Sequence, residues 1–208
     1  GVAGIVGCTN AKIKVDDAHV RLATELIKRN VLVLQTGCAA IADAKVGLLD
    51  PESAEEFAGQ GLLEICRAVG IPPVLHMGAC VDNSRILIAA TAMVKDGGLG
   101  DDISDLPVAG AAPEWMSEKA IDIGQYFVAS GVFTVFGTTF PITGSEQMSK
   151  LMYEELEETV GGKWAFEPDP EKATKLMLDH INKKRRALGL DKKKERVLYD
   201  MAMRRELD

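Results

Sequence analysis

Val2-Ala3-Gly4-Ile5-Val6-Gly7-Cys8 is an apolar run of strand length that ends in glycine and cysteine. The same order returns in Val31-Leu32-Val33-Leu34-Gln35-Thr36-Gly37-Cys38 and in Val74-Leu75-His76-Met77-Gly78-Ala79-Cys80. Glycine lies one or two positions before each cysteine, where the chain must turn sharply. Between and beyond these runs the apolar residues recur at helical spacing, and alternation of the two patterns is the signature of βαβ units. The pattern predicts strands over 2–6, 31–35, 73–77, 108–111 and 132–136, and helices over 17–28, 39–48, 53–69, 83–95 and 114–129. Asp16 and Asp17 announce the first helix as cap residues; Pro113, at a first-turn position, and Glu114 announce the fifth. The expected fold class is therefore α/β, a Rossmann-like doubly wound, mostly parallel sheet with helices on both faces and a C-terminal helical extension.

After Phe136 the alternation stops. Residues 137–144 read as a loop, 145–159 as a helix closed by Gly161, and Trp164-Ala165-Phe166 as a short edge strand. Asp169-Pro170-Glu171 opens a helix running to Leu188, and 191–207 continue the helical pattern. This divides the chain into a Rossmann-like core over 1–140, which carries the cysteine turns, and a helical extension of the same domain over 141–208.

The 208 residues carry a formal charge of −7 and are 47% hydrophobic. The net charge argues against a nucleic-acid surface, and the basic cluster Lys183-Lys184-Arg185-Arg186 reads as the cationic end of a helix. No apolar run approaches the roughly 20 residues of a membrane span, so a soluble, cytoplasmic protein is expected. The chain opens on Gly1 already inside a strand, which suggests a piece of a longer polypeptide whose other residues complete any site found here.

In an open parallel sheet the carboxyl ends of the strands face one crevice, so Cys8, Cys38 and Cys80 are expected to converge there. Thiolates select soft metals. Ligands gathered from separate strands, rather than from a Cys-x-x-Cys clip, suit a polynuclear iron–sulfur type cluster. Cys66, on the apolar stripe of Leu62-Leu63-Glu64-Ile65-Cys66-Arg67-Ala68-Val69, has no glycine beside it and is expected to be core. His76 is a possible ligand by type, but its place inside a strand favours a buried, hydrogen-bonded imidazole.

The turns Val6-Gly7-Cys8-Thr9-Asn10-Ala11-Lys12, Gln35-Thr36-Gly37-Cys38-Ala39-Ala40 and His76-Met77-Gly78-Ala79-Cys80-Val81-Asp82-Asn83-Ser84-Arg85 resemble segments of the catalytic subunit of anaerobic nickel carbon monoxide dehydrogenases. So do Leu106-Pro107-Val108-Ala109-Gly110-Ala111-Ala112-Pro113-Glu114-Trp115-Met116-Ser117-Glu118-Lys119-Ala120 and His180-Ile181-Asn182-Lys183-Lys184-Arg185-Arg186-Ala187-Leu188-Gly189. The resemblance covers nearly the whole chain and corresponds to the carboxyl-terminal third of that subunit.

The resemblance implies interconversion of CO and water with CO2, two electrons and two protons at a nickel–iron–sulfur cluster. It makes Cys8 and Cys38 iron ligands, Cys80 the nickel ligand, and Lys119 the catalytic proton donor and charge stabiliser. Ile123 matches an apolar residue roofing the nickel, and Asn10 and Asn83 are candidate donors to cluster sulfurs. Further ligands and the 4Fe-4S relay clusters of the family lie in parts absent here, so the cluster is expected to be incomplete or absent in this chain alone. A ferredoxin-type electron carrier, a homodimeric parent and an acetyl-CoA synthase partner are implied in the same way.

Three other readings compete. A hybrid-cluster protein, a hydroxylamine reductase of related architecture, would need iron without nickel. A non-catalytic α/β binding domain would merely bury its cysteines. A nucleotide-binding Rossmann domain is disfavoured because Gly4-Ile5-Val6-Gly7 lacks the Gly-x-Gly-x-x-Gly spacing.

Overall fold

A computed structural model describes residues 1–116, 118–138 and 141–192; the expected helix over 191–207 falls almost entirely outside them. Six strands form one sheet: β1 (Val2–Ile5), β2 (Leu32–Gln35), β3 (Val74–His76), β4 (Val108–Ala112), β5 (Thr134–Phe136) and β6 (Trp164–Phe166). Their order is β3-β2-β1-β4-β5-β6, and each neighbouring pair is parallel. The order reverses beside β1, so the crevice of this Rossmann-type sheet opens there, at the carboxyl ends of β1 and β4.

Strand period fixes the two faces. Ala3, Ile5, Val33, Ala109, Ala111 and Val135 pack with α1 (Asp17–Lys28), α3 (Ser53–Phe57), α4 (Gln60–Val69) and α9 (Pro170–Ala187). Alternate residues, among them Leu34, Val108, Ala112 and Phe136, pack with α5 (Ser84–Lys95) and α6 (Glu118–Ala129) on the other face. The first face also receives Ala39 of α2 (Gly37–Lys45). Beyond β5, α7 (Glu146–Lys150), a π-helical turn and α8 (Leu156–Val160) lead to β6, and α9 returns across the sheet against α1 and β4.

Several boundaries differ from the sequence reading, and the helix expected over 145–159 is interrupted by a π-helical turn over 151–155. The helix expected over 53–69 is two helices, because the Gly59 amide bonds the Ile27 carbonyl at 2.9 Å and the Asn30 Oδ1 takes the Leu62 amide at 3.0 Å. The helix expected from Glu114 begins at Glu118. Glu114 is instead fully buried, and its carboxylate accepts the amides of Ala18 at 3.1 Å and Asp16 at 3.3 Å. It thereby closes the first turn of α1 from across the sheet, while Asp16, the expected cap, has a left-handed backbone (φ 69) and makes no side-chain cap. Its carboxylate pairs with Lys45 at 2.6 Å.

Candidate metal centre

The three glycine–cysteine turns all follow parallel strands, which puts Cys8, Cys38 and Cys80 along the carboxyl edge of three adjacent strands. All are free thiols of intermediate burial, whereas Cys66 is buried in the core, where desolvation pushes its thiol pKa up.

Cys38 and Cys80 are neighbours. Gly37 has φ +59, and a Cβ built on it would lie 2.2 Å from the Cys80 Sγ, so only glycine lets the two turns come this close. The Gly37 amide donates to the Gly78 carbonyl at 3.0 Å. Buried Asn83 accepts from the Thr36 hydroxyl and donates to the Cys80 carbonyl, clipping the two turns together from below. Ile41 and His76 join both cysteines around a shallow open pocket.

Cys8 is held differently. At Gly7 (φ +113) a Cβ would meet the Glu114 carbonyl oxygen at 2.4 Å, so the turn after β1 lies hard against the 113–116 segment. The Met116 amide donates to the Cys8 Sγ at 2.9 Å, and the Cys8 carbonyl lies 3.2 Å from the Nε2 of fully buried His19. A carbonyl only accepts, so that Nε2 carries the proton. Burial holds the His19 pKa below its ordinary value, with the Glu114 carboxylate opposing. Near the end of β2, Asp43 is fully buried and bonded to Gln35 at 2.7 Å; desolvation raises its pKa to about 7 against that hydrogen bond.

One expectation is corrected here, that of a buried His76. His76 is exposed at the strand end, and its Nδ1 accepts the Gly78 amide at 3.1 Å, because β3 is the edge strand and lacks a neighbour to bury it. The Asn10 and Asn83 amides each donate to a carbonyl, of Trp115 and Cys80 respectively. Lys119 lies exposed in the first turn of α6 and makes no ion pair among the described residues. Ile123, one turn on, packs partly buried against the α5–α6 face of the core. Among the described residues, no three His, Cys, Asp or Glu side chains are close enough to hold one metal ion.

His19, Glu114 and Met116 are site residues that sequence reasoning missed. Glu114 and Met116 act on α1 and Cys8 from about a hundred residues away, and His19 reaches the Cys8 carbonyl from the neighbouring helix; no local pattern announces these contacts.

The class defined by this fold and edge is a Rossmann-type α/β protein whose crevice presents soft thiols where a nucleotide binder has its glycine loop. The chain belongs to the Prismane/CO dehydrogenase family, whose model matches residues 1–171. It is 58% identical over 191 residues to carbon monoxide dehydrogenase 1 of Methanosarcina mazei, covering 92% of this chain and 30% of that protein. The nickel-free crystal structure of carbon monoxide dehydrogenase from Thermococcus sp. AM4 superposes with a TM-score of 0.87 at 55% identity, over 91% of this chain and 29% of that one. An acetyl-CoA synthase/carbon monoxide dehydrogenase structure, described for NiZn[Fe4S4] and NiNi[Fe4S4] clusters in its alpha subunits, superposes with a TM-score of 0.86 at 40% identity, over 91% and 29%. The chain thus spans about 30% of the length of the curated relatives it matches.

Proposed function

We propose that this chain is the ligand-bearing α/β part of a nickel-dependent carbon monoxide dehydrogenase, which interconverts CO and water with CO2, two protons and two electrons. The observation that carries the reading is the row of three free, half-exposed thiols on the carboxyl ends of β1, β2 and β3, with the Cys80 sulfur against the Cys38 turn. Their softness and spread fit a polynuclear cluster in which each thiolate binds a different metal, and fit a single ion poorly. Cys8 and Cys38 would hold irons and Cys80 nickel. When bound, such a cluster supplies the two-electron redox chemistry that no side chain can perform.

The protein's own residues do the rest. Lys119 presents an ammonium with no ion pair among the described residues in the first turn of α6, three residues beyond the Met116 amide that rests on Cys8. Such a cation lowers the energy of negative charge growing on a CO2 oxygen, and it can give or take the proton that accompanies the electrons. Asn83 holds the Cys38 and Cys80 turns at fixed separation, so the ligands are preorganised. The remaining ligands, the 4Fe-4S relay, a homodimer contact, a ferredoxin-type acceptor and an acetyl-CoA synthase partner would belong to the full-length protein, working anaerobically in the cytoplasm.

Metal analysis of the full-length protein tests this. Nickel together with iron is expected, and Cys80→Ser should lose nickel and CO oxidation together. Iron alone in the wild type would point to hybrid-cluster chemistry instead.

A further inference from the structure

The 113–116 segment is fastened beside the Cys8 turn at three points. Glu114 reaches back 96 and 98 residues to the amides of Ala18 and Asp16. The Asn10 Nδ2 donates to the Trp115 carbonyl at 2.8 Å, and Gly7 packs on the Glu114 carbonyl. Between these tethers the Met116 amide meets the Cys8 sulfur at 2.9 Å. The Met116 side chain is 64% exposed, so its packing does not place this amide. The two Glu114 carboxylate oxygens are spent on amides at the start of α1. What the tethers deliver is one N–H dipole aimed at one sulfur.

We propose that Glu114 and Asn10 are positioning residues that keep the Met116 N–H on the Cys8 thiolate, and that this hydrogen bond raises the reduction potential of the centre Cys8 serves. Reduction adds negative charge to a cluster and its thiolates. A fixed N–H stabilises the reduced form more than the oxidised one, and the effect is large where the sulfur is partly withdrawn from water. The buried carboxylate suits the task because it satisfies two helix-end amides at once and favours the positive pole of α1, which makes the loop position stiff. The inference rests on the reading of Cys8 as an iron ligand.

The test uses the full-length enzyme and two independent tethers. Glu114→Gln keeps an acceptor for one α1 amide and turns an NH2 toward the other, loosening the loop without emptying a buried site. Asn10→Ala releases the loop from its half-exposed side and leaves the α1 cap intact. Iron and nickel are counted, and the midpoint potential of the active-site cluster is read by spectroscopically monitored titration. Both variants are expected to retain wild-type metal content and to titrate at more negative potential, with the double variant lowest. Unchanged potentials with full metal overturn the proposal. So does loss of iron in either variant, because the tethers would then retain the ligand rather than tune it. Cys8→Ala with a full complement of iron would instead overturn the reading of Cys8 as a ligand, and so separates the two failures.

Discussion

The same side chain, cysteine, occupies two settings in this molecule. Along the carboxyl edge, Cys8, Cys38 and Cys80 sit in glycine turns, half open to solvent, with the Met116 amide on the Cys8 sulfur and the Gly37 turn against the Cys80 sulfur. In α4, Cys66 is sealed among Leu62, Ile27 and other apolar residues, as a small hydrophobe. The difference lies in the backbone around the thiol: a turn at a strand end offers sulfur to a ligand, and a helix stripe offers it to the core.

The largest expected effect separates the two settings directly. In the full-length enzyme Cys80→Ala should abolish CO oxidation with loss of nickel, whereas Cys66→Ala should leave metal content and turnover at wild-type levels. Equal metal loss in both would erase the distinction. Next comes Lys119→Ala, expected to lower turnover by about 10²- to 10⁴-fold, as for one positioned acid–base group, with metal retained. Wild-type rates across the pH range would make Lys119 an ordinary surface residue.

The core side of the comparison has its own prediction. Phe127, 1% exposed, packs over Gly4 and Gly110 at the sheet centre. Phe127→Ala should destabilise the chain by about 3–5 kcal/mol in denaturant titrations, with the slope of the transition unchanged. A cost below about 1 kcal/mol would mean that this face is loosely packed.

The smallest effect probes the boundary between core and edge. Folded Asp43 keeps its proton to about pH 7, whereas an unfolded aspartic acid releases it near pH 4. Between those values the folded form binds the extra proton, so this group's contribution to stability is lost as pH rises through the window. Asp43→Asn should therefore gain stability relative to wild type from pH 4 to 7, by up to about 4 kcal/mol, while its amide oxygen still accepts from Gln35. The difference between the two proteins is the quantity to follow. His180, with a pKa lowered to about 4 by burial, gives both of them the opposite slope in acid. A difference that stays flat from pH 4 to 7 would place an ionised Asp43 in the fold.

The strands and α1 were legible in the sequence because periodicity is a local signal, and the bounds expected for α1 coincide with those observed. The edge location of the cysteines followed from strand order. What was illegible came from distant partners. Glu114 looks like a first-turn residue of α6 until β4 places it beneath α1. Asn83 looks like a turn residue until Thr36 comes within reach of its side chain. His76 looked buried because a strand residue usually is, and only the sheet order reveals that β3 is the edge. The cysteine types could be guessed from their turns; the groups that hold them could not.

The register of β1 has a consequence for how the molecule is made. Val2 pairs with Leu32 on one side and with Val108 on the other, and α1 receives its cap from Glu114. Emerging from a ribosome, this central strand must wait for about a hundred further residues before its second edge is covered and the helix after it is closed. Loop-closure entropy makes such long-range parallel pairing slow, and an uncovered apolar edge is what other nascent chains pair with. The same arrangement seats the Met116 amide on the Cys8 sulfur only once β4 has docked. A cell making the protein therefore has an interval in which half-exposed thiols and an open strand edge need protection together.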